Sequence, residues 1–367
     1  MRKSARKSAA ARGVAAACVT AASCGVFALA SCTTTLSYVR EDAGKDGATD
    51  GSTSTPEGGG GDAGPGAGAC GRFLLIGGTS AGGQALQNVA IGTISDTKVT
   101  WDDGPPLATA TSRASALGVD GRVLTAGGTS VSTEAAIFDG QKWSSAGFLP
   151  KPGAGCAAGE IQGSVFVVCT EDGSSGAGTT FRGQPFGASP GAWSVVSSAP
   201  PAFLTAGAVA VAVGRRFLLV GKGGQAALGT PETNNAMVWN ELKENVSPGR
   251  NYACAAFGNG HVYLVGGITD RSVSIGTVTE DAVIWEPPGG PFDLPLPPGL
   301  GLARAACIVA NGRLWVLGGE TTTGDAGETA VDTMYSAPIN GKTLGRWDKS
   351  SGPLPRPVAN AAVACLP

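Results

Sequence analysis

Arg113, Arg250, Arg304 and Arg356 each precede or open a run of small residues. Guanidinium groups brought together hold carboxylates or phosphates through paired hydrogen bonds. Other reactive groups are sparse. The chain has one histidine, His261; a Ser-His-Asp triad would have to use it, and no G-x-S-x-G elbow accompanies it. Paired acids occur at Asp102-Asp103 and Glu280-Asp281, near turns where solvated acids are common. No Walker loop, EF-hand or H-E-x-x-H pattern is present, and no cysteine spacing reads as a zinc site. No metal and no cofactor are therefore expected.

The elements that must position the arginines repeat along the chain. An aliphatic run ending in paired glycines appears as RFLLIGG from Arg72, RVLTAGG from Arg122, HVYLVGG from His261 and RLWVLGG from Arg313. SVFVVCT from Ser164 and RFLLVGK from Arg216 are degenerate copies. Successive copies start 50, 42, 52, 45 and 52 residues apart, by subtraction. That length suits four short strands with their turns, the unit of a propeller blade. Asp120-Gly121, Asn259-Gly260 and Asn311-Gly312 stand just before three copies, and such dipeptides favour type I′ hairpins. Upstream lie Ala- and Val-rich strands, whose small side chains suit the crowded innermost position of a blade. A third strand is expected to end near Phe138-Asp139, Val238-Trp239, Ile284-Trp285 or Met334-Tyr335, and a fourth to carry Trp101, Trp143, Trp193 or Trp347.

This pattern resembles the kelch repeat family, whose signature is a hydrophobic run, a diglycine, then a spaced Tyr and Trp. The likeness covers roughly 300 residues, with the fourth blade lacking its late Trp and the fifth having Phe292 in its place. It implies an all-β, six-bladed kelch-type propeller over residues 70–367. Residues Ala361 to Leu366 read as a lone inner strand, and the run from Arg72 lacks one. Joining them closes the ring and removes exposed edges. The arginines would then gather at one mouth of the channel, and in animal kelch propellers similarly placed arginines face acidic peptides.

Residues 1–31 have the order of an export signal: Arg2, Lys3, Arg6, Lys7 and Arg12, then a small apolar run to Ala30. Leu29-Ala30-Ser31-Cys32 resembles the lipobox of bacterial lipoproteins, which implies lipidation of Cys32 and a bacterial envelope location. Residues 32–69 read as a flexible tether, since Glu41 to Ala69 contains no large apolar side chain. Of nine cysteines, six then remain, and an even number in an exported chain points to disulfides. Counting outward from a Gln162-Gly163 turn sets Cys156 opposite Cys169, in a non-hydrogen-bonded pair. Cys70 and Cys365 fall on the two halves of the shared blade. Cys254 and Cys307 read as equivalent positions on neighbouring inner strands, pointing the same way, and hence as buried thiols.

Removing the five basic residues of the signal from 26 leaves 21 basic against 28 acidic side chains. Nucleic-acid binding is not expected of such a chain. A copper radical oxidase of the galactose oxidase kind needs two His, and this chain has one. Sialidase Asp boxes fail on spacing at Ser95 to Trp101. The expected function is that of a lipid-anchored, monomeric binding or scaffold module presenting a propeller face to a protein or glycan. The alternatives are an enzyme on an anionic sugar, of the kelch-type mutarotase kind, and a purely structural envelope component.

Overall fold

In the computed structural model, residues 70–129, 132–172, 178–186, 191–196, 200–232, 236–287, 292–322, 329–349 and 353–366 are described. The expected export signal and tether, with Cys32, lie outside the described residues. The aliphatic runs fold as strands buried on both sides: Phe73, Leu74, Val123, Phe217, Leu218, Val262 and Leu314 are all fully buried. A strand covered on both faces has no polar side, so its sequence is continuous rather than alternating. The result is an all-β propeller.

Each run is the second strand of an antiparallel sheet. The first sheet has the order Ala362–Cys365, Arg72–Ile76, Val89–Ser95, Lys98–Gly104. The second runs Ser115–Val119, Arg122–Ala126, Glu134–Phe138, Trp143–Phe148. In the third, Gly153–Ile161 and Ser164–Asp172 precede Thr179–Gly183 and Trp193–Val195. The fourth holds Val209–Val213, Arg216–Val220, Ala226–Pro231 and Met237–Glu241.

The last two sheets are irregular. Cys254–Gly258, His261–Gly267, Asp270–Val278 and Val283–Trp285 are extended by Gly301–Ala303, Glu320–Thr322 and Thr329–Ala330. Ala306–Ala310, Arg313–Leu317 and Met334–Asn340 form the other, with Thr343–Leu344 and Asp348–Lys349 both pairing the third strand.

The turn dipeptides behave as their chemistry dictates. Asp120, Gln162, Asn259 and Asn311 have φ of 48–53°, each followed by a glycine at 68–76°, the type I′ signature. Ala362–Cys365 pairs with Arg72–Ile76, Phe73 facing Cys365. Around the axis the innermost strands neighbour one another in the order Ala362–Cys365, Ser115–Val119, Gly153–Ile161, Val209–Val213, Cys254–Gly258 and Ala306–Ala310, and the last returns to the first.

The outer strands correct the expected placement of two tryptophans. Trp239 and Trp285 lie on fourth strands, not third ones, and Phe292 on neither. Trp101, Trp143 and Trp193 are also on fourth strands, and Trp347 immediately precedes Asp348–Lys349. Each sheet thus has one outer Trp. Three of them staple neighbouring sheets: Nε1 of Trp143, Trp193 and Trp347 donates to the carbonyls of Pro105, Ala146 and Phe292 at 2.8–2.9 Å.

Three disulfides are present among the described residues. Cys156 faces Cys169 across the hairpin with Cα atoms 3.9 Å apart. The Cys156 N–H donates to the Arg113 carbonyl of the next sheet at 3.1 Å, as a non-hydrogen-bonded hairpin position requires. Cys70 joins Cys365 at a Cα separation of 5.7 Å. Cys254 and Cys307, expected as thiols, are bonded to each other at the same Cα separation. The reason is register: Cys254 stands five residues before Asn259, but Cys307 only four before Asn311. Side chains alternate faces along a strand, so this one-residue offset turns the two sulfurs toward each other. Disulfides are consistent with an exported or extracellular protein.

Candidate functional site

A central channel of about 1440 Å³ is walled by the innermost strands. Its middle is apolar, with small side chains such as Ala210, Ala255 and Ala361. One end is formed by the hairpin turns, with Asp120, Glu160, Arg215 and Glu280. The other end is set by a repeat position seven residues before each turn.

That position is Arg113, Gly155, Gly207, Tyr252 and Arg304 in successive sheets, and Asn360 in the first. All six have positive φ: 61°, 63°, 87°, 58°, 56° and 55°. For the non-glycine residues such a backbone costs roughly 1–2 kcal/mol each, and hydrogen bonds between sheets offset it. The Arg113 N–H donates to Asn360, Asn360 to Arg304, Arg304 to Tyr252 and Tyr252 to Gly207, at 2.7–2.9 Å. The left-handed turn aims these four amides sideways at the neighbouring inner strand, linking five of the six positions around this mouth.

The side chains at these positions meet. The Arg304 guanidinium carbon lies 4.2 Å from the Tyr252 ring centroid, and that of Arg113, from the opposite side of the channel, 5.9 Å from it. The two glycines make room. A Cβ on Gly155 would stand 3.2 Å from Arg113 Nη2, and one on Gly207 would strike Asn251 Oδ1 at 1.8 Å. Arg113 forms a two-pronged ion pair with Glu171, Nη1 to Oε2 at 3.0 Å. Arg304 pairs with Glu320, which the register Ala303↔Glu320 brings alongside. Two cations are thus matched by two carboxylates around one aromatic ring. Such a mouth offers donors, acceptors and a flat apolar surface at no large net charge.

Arg250 and Arg356, expected at this mouth, are elsewhere. Arg250 stands nine residues before its turn, not seven, and its side chain runs into its own sheet. It is 3% exposed and donates to the carbonyls of Gly266 (3.2 Å) and Ser272 (2.7 Å), and to Ser272 Oγ (2.9 Å) and Ser274 Oγ (2.8 Å). Asp270 lies 3.3 Å away. Burial lowers the Arg250 pKa, opposed by Asp270 and Asp293. Arg356 lies four residues before Asn360 and reaches Asp103 at 3.5 Å, both partners solvent-accessible. Asp102 and Asp103 are on a strand, Lys98–Gly104, rather than beside a turn. His261 is half-buried, with Nδ1 3.2 Å from Thr277 Oγ1. Among the described residues no group of three or more His, Cys, Asp or Glu stands ready to hold a metal ion.

Sequence reasoning missed four members of the mouth. Tyr252 stands seven residues before Asn259, the same count that places Arg113 and Arg304, so distance from the turn marks it where charge does not. Asn360 holds the same place before the last strand. Glu171 and Glu320 follow directly on the diglycine positions, Cys169-Thr170 and Gly318-Gly319, a signal in plain view.

Fold and site together define an all-β propeller with a charge-matched polar cluster across one end of its channel. No family model matches the chain, and no curated protein does. Among solved structures it is similar to the one described as "Structure of YjhT", with a TM-score of 0.55 and 16% identity. The match covers 71% of this chain and 89% of that one. At that identity the likeness is one of fold.

Proposed function

We propose that this chain is an exported, lipid-anchored six-bladed propeller that presents the Arg113–Tyr252–Arg304 mouth to a glycan at the cell envelope. The observation that carries the reading is the convergence of both guanidinium groups on the Tyr252 ring. A few placed polar groups around an aromatic surface are what a small polar ligand needs for orientation. Matched charges favour a ligand with hydroxyl groups, which Arg can donate to and Glu accept from.

Support for six kelch-like blades comes from one outer Trp per sheet and the returning cycle of inner strands. Pairing of Ala362–Cys365 with Arg72–Ile76 supports closure by the C-terminal strand. Anchoring at Cys32 rests on the lipobox resemblance.

The test is a glycan array probed with the detergent-purified full chain, beside a pull-down from envelope extract. Arg304→Ala should weaken a captured glycan by about tenfold, one lost charged hydrogen bond or more. Capture that is indifferent to both Arg304→Ala and Tyr252→Ala rejects this mouth as the site. A second reading, an enzyme on an anionic sugar, is favoured by Glu171 and Glu320, carboxylates beside the arginines that could move a proton. Anomer exchange followed by NMR, lost in Glu320→Gln, would select it.

A further inference from the structure

The six innermost strands are almost free of polar side chains. Val209–Val213 reads Val-Ala-Val-Ala-Val and Cys254–Gly258 reads Cys-Ala-Ala-Phe-Gly. Over all six strands, only Ser115 and Glu160 carry a side-chain oxygen or nitrogen. Ser115 is buried and donates to the Ala126 carbonyl at 2.9 Å. Glu160 stands at the turn end of the channel. Crowding of the sheets explains why these side chains are small. It does not explain why they are apolar, because Ser and Thr are as small as Ala and Val.

These strands are also open to the channel. Ala210, Ala255, Phe257, Val309 and Val363 are half-buried and line it. A strand with one face in water alternates apolar with polar side chains, whereas these are apolar on both faces. Contiguous apolar surface left accessible marks a binding site. The lumen of about 1440 Å³ exceeds the roughly 300–1,000 Å³ of most small-molecule pockets. From Arg304 to Val309 it extends over five residues, ~17 Å of extended chain. The mouth above it is bridged on one side only, where Arg113, Tyr252 and Arg304 meet. Gly155 and Gly207, on the neighbouring third and fourth sheets, place no side chain at that height and leave a way in.

We propose that the channel holds the apolar tail of an amphiphile whose polar head lies at the Arg113–Tyr252–Arg304 mouth. The tail enters past Gly155 and Gly207, runs between the inner strands and stops short of Glu160. A linear alkyl chain fits, because it brings no polar atom into a wall that has no side-chain partner to offer one. The ligand class is therefore a glycan carrying one alkyl chain, as in an alkyl glycoside or a single-chain glycolipid. The identity of the head rests on the glycan-binding reading; the tail site rests on the channel alone.

The experiment uses the full chain in lipid nanodiscs and two photoreactive probes, octyl glucoside and 1-octanol, each with a diazirine at the end of its chain. Crosslinked positions are mapped by peptide mass spectrometry. Both probes should label the inner strands, within Cys254–Gly258, Ala306–Ala310 or Ala362–Cys365. Unlabelled 1-hexanol, 1-heptanol and 1-octanol should compete, with the half-inhibiting free concentration falling about fourfold per added methylene. Ala255→Trp, which fills the lumen, should cut inner-strand labelling at least about tenfold in protein that still melts cooperatively. Should that variant not fold, the chain-length series in wild-type protein decides alone. Labelling confined to residues outside the channel, or inner-strand labelling indifferent to chain length, overturns the tail site. If octanol labels the inner strands while the glycan array stays blank, the glycan reading fails and the tail site stands. If a bare glycan is captured at the mouth and neither probe reaches the inner strands, the glycan reading stands and this inference is overturned.

Discussion

Arg304 is tied to Tyr252 twice: guanidinium carbon to ring centroid at 4.2 Å, and backbone N–H to backbone carbonyl at 2.8 Å. The side-chain contact can be deleted without touching the backbone one. A cation over an aromatic face contributes about 0.5–1 kcal/mol where water has access. Tyr252→Leu should therefore lower unfolding stability by only about 1 kcal/mol in a urea titration, while capture of a glycan ligand falls by more than tenfold. A large stability loss with undiminished capture would assign Tyr252 to the scaffold.

Arg250 and Arg356 should separate just as clearly. Truncating Arg250 empties a buried site and leaves the Ser272 and Ser274 hydroxyls and two carbonyls without their donor, at about 1–3 kcal/mol for each buried group left unsatisfied. Arg356 and Asp103 are open to solvent, where an ion pair contributes about 0–1 kcal/mol. Arg250→Ala should show a much lower urea midpoint and Arg356→Ala nearly the wild-type one. Neither should alter ligand affinity in the folded fraction. Comparable midpoints for the two variants would contradict this placement.

His261 gives a pH prediction with a defined sign. Its pKa lies below the ordinary 6.5, first through burial and then through Lys342, with Glu286 opposing. The unfolded chain therefore takes up the proton at higher pH than the folded one. The contribution of His261 to stability is complete above about 6.5 and declines as pH falls through that value toward the folded pKa. The chain has a single histidine, so one imidazole resonance reports it. An NMR titration midpoint at or above 6.5 would refute the assignment, as would an acid-side loss of stability that His261→Asn leaves unchanged.

How much was legible depended on whether a residue's role is local. The Gln162-Gly163 turn fixes its own hairpin, so counting outward placed Cys156 against Cys169 correctly. Cys254 and Cys307 are related across a seam, where no turn sets the register. There a one-residue error in alignment reverses which face a side chain takes. Trp239 and Trp285 fall on fourth rather than third strands because only residues 221–225 and 268–269 separate the second and third strands of their sheets. A shorter second connection moves every later strand toward the N-terminus.

The mouth shows the same division. Distance from the turn determines height in the channel, and by that measure Arg113 and Arg304 qualify while Arg250 and Arg356 do not. Residue type alone drew the latter two in and left Tyr252 out. The carboxylates came from another part of the repeat altogether. Their pairing with the arginines is a tertiary fact that no single repeat contains.

Tyr263 offers a last prediction, one that treats a polar atom as a defect. Its side chain is fully buried and its hydroxyl makes no hydrogen bond. A buried polar group without a partner costs about 1–3 kcal/mol, so Tyr263→Phe should raise the melting temperature at pH 7. Burial also pushes the Tyr263 pKa up to about 12, against about 10 in an unfolded chain. The phenol's contribution is then undiminished below pH 10 and declines as pH rises toward 12, because the unfolded state ionises first. Tyr335, raised in the same direction by burial, adds to that alkaline loss and remains in the variant. Tyr263→Phe should thus unfold at higher pH than wild type without becoming insensitive to alkali. A fall in melting temperature at pH 7 would mean that the hydroxyl has a hydrogen-bond partner, and the defect reading would be wrong.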